Sequence, residues 1–124
     1  MAFEILANSL SLPVAADYSS SQFRFMKINS SGQWERAGDG NYADGVLQDD
    51  PDTAGHAGSC ALSGSVTKVE GGGTITAGNM VASDSVGRCV NAASGDYVLG
   101  RALETATTAG QRVTIVFQPS YGTY

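Results

Sequence analysis

The chain has 124 residues, of which 42% are apolar, 15% charged and 16 glycine; this describes one turn-rich domain with a core and excludes disordered and predominantly helical chains. Twelve acids against seven bases give a net charge of −5, with nine acids and four bases in residues 1–70, so a phosphate backbone is repelled and no nucleic-acid partner is expected. No apolar run approaches the roughly 20 residues that cross a bilayer, and no membrane partner is expected either.

The N-terminal stretch MAFEILANSLSLPVAAD is mildly apolar but has no Lys or Arg near its start, carries Glu4 and is interrupted by Asn8, Ser9 and Ser11. These features argue against an export signal and for synthesis in the cytoplasm of the producing cell. Residues 1–21 are poor in charge, contain Pro13 and end in three serines, and they are predicted to form an arm outside the compact β domain. Phe3, Ile5, Leu10, Leu12 and Tyr18 would then stand exposed and available to a partner, for example by adding a strand to a sheet edge. The alternative is that this segment supplies the first strand of the same domain.

From Phe23 the chain breaks into short apolar runs punctuated by Gly, Asp, Asn and Ser, the grammar of antiparallel strands. Phe23–Ile28 and Gln33–Arg36 around Ser30-Ser31-Gly32 are predicted to form a hairpin. Residues 37–52, AGDGNYADGVLQDDPD, are predicted to be mostly loop with two very short extended pieces. Ser59–Val66 reads as one strand, with Cys60, Leu62 and Val66 on one face and Ser59, Ala61, Ser63 and Ser65 on the other. Further strands are predicted at Met80-Val81, Arg88–Val90, Tyr97–Leu103 and Arg112–Phe117. TAGNMV at 76–81 and TAGQRV at 108–113 match in four of six positions, 32 residues apart, and suggest one turn-into-strand device used twice. The fold class is thus mainly β, a small antiparallel barrel over residues 22–117 with the arm before it and a tail over 118–124.

Candidate chemistry is thin. Gly73 and Gly78 have glycine spacing suited to a phosphate loop, but Asn79 and Met80 stand where lysine and a hydroxyl are needed. Asp39 and Asn41 start like a calcium-binding loop, yet Ala43 takes the third ligand position and Asp44 the glycine position. A solvated turn explains Asp39, Asp44, Asp49, Asp50 and Asp52 better. His56 is the only histidine and lies in AGHAG with no G-x-S-x-G elbow in the chain. Cys60 and Cys89 lack C-x-x-C spacing and read as reduced, partly buried strand residues, a single disulfide being the alternative. Trp34 and the tyrosines at 42, 97, 121 and 124 suit a sugar platform, or a core and subunit interface. No catalytic, cofactor-binding or metal residue is assigned.

The order of the motifs carries more than any one of them. GDGNYADGVLQDDP, then a strand of small residues, then GGGTITAGNMVASDSVGRCV, then SGDYVLGRALETATTAGQRVTIVF resembles the capsid cement or head decoration proteins of tailed bacteriophages, over residues 38–117. The resemblance implies a β-clip or β-tulip domain like that of the lambda-type decoration proteins. It further implies a homotrimer on the outer surface of the virion head that clamps neighbouring subunits of the major capsid protein, with the N-terminal arm meeting the capsid lattice. Two other classes remain open from the residues alone: a carbohydrate- or receptor-binding module, and a nucleotide hydrolase similar to dUTPase, whose glycine-rich C-terminal motif Gln118–Tyr124 does not match.

Overall fold

Ten strands of three to six residues follow one another with no helix among the described residues, 8–120 and 122–124 of the computed structural model. They are β1 Ser9–Pro13, β2 Phe25–Ile28, β3 Trp34–Arg36, β4 Gly45–Leu47, β5 Ala57–Ala61, β6 Val66–Glu70, β7 Met80–Ser83, β8 Cys89–Asn91, β9 Gly100–Ala102 and β10 Arg112–Phe117. The first five make one sheet in the order β1-β5-β4-β2-β3, and the last five make a second in the order β6-β10-β9-β7-β8. All pairings between these strands are antiparallel. The mainly-β antiparallel expectation holds, but the strands form two five-stranded sheets that are not closed into a barrel.

The two sheets are copies of one unit. Met26↔Gly45 and Lys27↔Glu35 in the first recur as Val81↔Gly100 and Ala82↔Val90 in the second, each residue 55 positions further along. The first strand follows with a shift of 57, Pro13↔Ala57 recurring as Glu70↔Arg112. Each unit also brings the end of its first strand back to its third through a parallel bridge, Val14↔Trp34 and Gly71↔Cys89. The repeated TAG that matters is therefore 53–55 with 108–110: both turns donate their glycine N–H to the bridging residue's carbonyl, Gly55 to Val14 and Gly110 to Gly71, at 2.8 Å each.

Local chemistry repeats with the register. In the β2–β3 hairpin the Asn29 side chain accepts the N–H groups of Ser31 and Gln33; in β7–β8 the Asp84 carboxylate accepts those of Val86 and Arg88. These are Asx turns, in which a short polar side chain replaces the backbone as acceptor. Asp49 and Glu104 likewise accept the N–H of Ser59 and Thr114. Glycine is required where the sheet folds tightly on itself: a Cβ on Gly45 would lie 2.8 Å from the Cys60 Cβ, and one on Gly100, at φ +152°, would run into the Val116 carbonyl oxygen.

Each unit curls around its own apolar interior. Val14, Tyr18, Met26, Trp34, Leu47 and Cys60 fill the first, with Leu12 and Leu62 packed against them. Val69, Ile75, Val81, Leu99, Val113, Ile115 and Phe117 fill the second, which also receives Phe25, Ala37, Ala43 and Val46 from the first. Two expectations need correction. Residues 9–21 are part of the first unit rather than an arm outside it, because β1 pairs along its length with β5 and Val14 is fully buried. Ser59–Val66 is not one strand either; the chain turns at Gly64, φ +93°, and this turn is the boundary between the units.

Candidate interaction surfaces

The junction between the units shows what kind of contact this fold makes. Phe25 stacks on Phe117 with ring centroids 6.0 Å apart, and Tyr42 meets Tyr97 edge to face at the same distance. Backbone bonds cross as well, from Phe25 N–H to Gly87, Gly40 N–H to Ser83 and Tyr97 N–H to Gly40. Arg24 pairs with Glu70 at 3.2 Å with both side chains mostly buried, and Gln48 Nε2 donates to Thr67 Oγ1 at 3.0 Å. Phe23 holds φ +63°, a backbone cost of about 1–2 kcal/mol for a residue with a Cβ. Its ring lies beneath Arg112 at 4.6 Å and Lys68 at 5.5 Å, cation–π contacts worth roughly 0.5–2 kcal/mol each, enough to offset that cost.

The expected partner residues are dispersed by the fold. Leu10 stands 37% exposed on β1, Leu12 is half-buried against the first interior, and Tyr18 is buried, its hydroxyl accepting the Arg36 N–H at 3.2 Å. Tyr18 is thus a core residue and not an exposed one: its aromatic body completes an apolar interior while its hydroxyl reaches a backbone donor. Phe3 and Ile5 lie outside the described residues. Three exposed apolar side chains were passed over in the sequence, Ile28, Met80 and Leu103. Met80 borders a shallow depression of about 250 Å³ with Gly78, Asn79, Ala92, Arg101 and Tyr124. A second depression beside it is lined by Met80, Val98, Gly100, Arg101 and Gln118.

The stretches weighed for chemistry are absorbed by the architecture. Gly71 and Gly72 donate their N–H groups to the carbonyls of Gln111 and Cys89, so two backbone donors of the glycine run are spent where the chain crosses from β6 towards β7. Asp44 accepts the Ile28 N–H, and Asp49 the Ser59 N–H. Among the described residues no cluster of three or more His, Cys, Asp or Glu side chains is placed to hold a metal. His56 is exposed, with its carbonyl accepting the Val14 N–H. Cys60 and Cys89 are free, buried and in different units; burial pushes both thiols up, with Asp49 and Asp84 adding to it.

Exposed apolar side chains on a duplicated β body, with Asn29 and Asp84 engaged in turns, fit a protein that works by contact. The family profile described as "Phage cement protein" matches residues 7–117, which include all ten strands. The chain belongs to the phage cement protein family. That family is one of structural virion proteins of the phage capsid, in agreement with the resemblance carried by residues 38–117. Among solved structures, the cement protein is similar to the head fiber gp8.5 N base in bacteriophage phi29, at 19% identity and a TM-score of 0.74 over 94% of this chain and 95% of that one. This likeness shows that the two share a fold. No curated protein matches the sequence.

Proposed function

We propose that this chain binds the outer surface of the assembled phage head as a homotrimer and cements neighbouring subunits of the major capsid protein. The observation that carries the reading is the match of the cement family to the whole folded body, residues 7–117. The head fiber base that shares the fold is itself a phage head component by its description. A protein that binds only the assembled shell shifts the shell's equilibrium away from disassembly by mass action. Three linked copies gain by avidity, because docking of one raises the effective concentration of the others.

Within that reading the residues before β1, with Phe3 and Ile5, make the capsid contact. They precede the edge strand Ser9–Pro13 in sequence, and that strand is paired along its length with β5. The test is addition of purified protein to heads that lack it. Stoichiometric binding and a raised temperature of DNA release are expected; heads that neither bind the protein nor gain heat resistance would sink the proposal.

A further inference from the structure

The duplication gives each unit the same two contact faces, and only one of each is used inside the chain. The first unit offers Phe25, Ala37, Ala43 and Val46, all buried at the junction. Their counterparts 55 residues on are Met80, Ala92, Val98 and Arg101, which lie on the surface around the two depressions, with Met80 at 41% exposure. The second unit receives with Thr67, Ser83 and Phe117, again buried. Their counterparts in the first unit are Leu10, Ile28 and Leu62, of which Leu10 and Ile28 are exposed. Gln48, which reaches Thr67, corresponds to Leu103, 44% exposed.

Four of the five exposed large apolar side chains among the described residues, Leu10, Ile28, Met80 and Leu103, therefore sit on one or the other unused face. We propose that the open face of the second unit, centred on Met80 and Leu103, docks onto the open face of the first unit of another copy, centred on Leu10 and Ile28. The contacts are supplied by the chain's own junction: Phe25 on Phe117 becomes Met80 on Leu62, and the Gln48–Thr67 hydrogen bond becomes an apolar pair of Leu103 with Leu10. Tyr97 of one copy meets Tyr42 of the next, as Tyr42 meets Tyr97 within the chain.

The C-terminal tail shows what one corner of that face accepts. At the junction the Gly40 N–H is taken by the Ser83 carbonyl at 2.9 Å; at the open face the equivalent Gly95 N–H is taken by the Tyr124 carbonyl at 3.1 Å. The tail stands where a neighbouring strand stands in the filled junction, and the Ile28 carbonyl of a second copy replaces it on association.

Two different faces meeting make a heterologous, head-to-tail interface, which closes into a ring or continues as a filament. Closure at three copies, giving a ring of six units, rests on the trimer proposed above; the pairing of the faces does not. Met80→Asp spoils one face and Ile28→Asp the other, both at surface positions. Sedimentation of the wild type is expected to show a multimer, each variant alone a 12.7 kDa monomer, and their equimolar mixture a 1:1 dimer joined by the one intact pair of faces. Leu103→Asp with Leu10→Asp repeats the test, and unchanged circular dichroism certifies the fold of each variant. A monomeric wild type, variants that stay multimeric, or a mixture that stays monomeric would overturn the pairing. A wild-type multimer of a number other than three, with the mixture still dimeric, supports the pairing and overturns the trimer.

Discussion

Phe25 and Met80 occupy the same position of the two units, paired in the same register to Val46 and Arg101, yet Phe25 is fully buried on Phe117 while Met80 is 41% exposed. One backbone position has been given two surroundings by its place in the chain. Phe25→Ala is expected to cost about 3–5 kcal/mol, the loss of a buried aromatic plus its cavity. Met80→Ala, measured under conditions that keep the chain monomeric, should stay within about 1 kcal/mol. Urea denaturation of the two variants checks the contrast, and equal losses would show that the units do not differ in this way.

Glycine substitutions should divide sharply. Gly100→Ala drives a methyl into the Val116 carbonyl at a φ that L residues rarely adopt, and a loss of more than about 2 kcal/mol is expected. Gly73 has open space around a Cβ and a φ outside the left-handed region, so Gly73→Ala should be neutral or mildly stabilising. Thermal unfolding midpoints of both variants decide it.

The cysteines predict an alkaline loss of stability. Burial holds both thiols protonated in the folded chain, whereas the unfolded thiols ionise near pH 9.0. A folded pKa raised above the unfolded value contributes stability that is complete below the unfolded value and is lost as pH rises through it. Stability should fall above about pH 9 by up to about 1.4 kcal/mol per unit for each thiol. Replacing both cysteines with alanine should flatten that slope, and a thiol reagent should label the native wild type only as fast as it unfolds.

The N-terminus separates docking from folding. Removal of residues 2–7 leaves β1 intact and should leave the unfolding midpoint unchanged while weakening attachment to heads. Removal of residues 2–13 also takes away the strand paired with β5 from Ser9↔Ala61 to Pro13↔Ala57, and should lower stability by at least about 2 kcal/mol. A midpoint unaffected by the longer deletion would return residues 9–13 to the status of a dispensable arm.

The hairpin of Phe23–Ile28 with Gln33–Arg36 was legible because its aromatic and β-branched residues and the Ser30-Ser31-Gly32 turn lie within a few residues of each other. The unit boundary was not, since small residues alternate with larger ones straight through Gly64 and only its left-handed φ marks the reversal. The duplication was hidden for a related reason. Phe25 corresponds to Met80, Val46 to Arg101 and Trp34 to Cys89, positions whose burial or neighbours differ between the units, so residue identity drifted while register stayed. The match of 76–81 with 108–113 was stronger letter for letter than the true correspondence of 53–55 with 108–110.

By itself the sequence determined the β2–β3 hairpin and the strand pieces of the last third, the antiparallel class, and the ordered motifs that place the chain among phage cement proteins, because these depend on side chains within a few residues of one another or on their order. The tertiary structure alone decided that Tyr18 is core and Leu10 surface, that the glycine run is a crossover, and which of two equivalent faces is covered. Alternation along a strand states that a side chain belongs to a face; what covers that face depends on residues 50 or more positions away, as with Phe25 and Phe117.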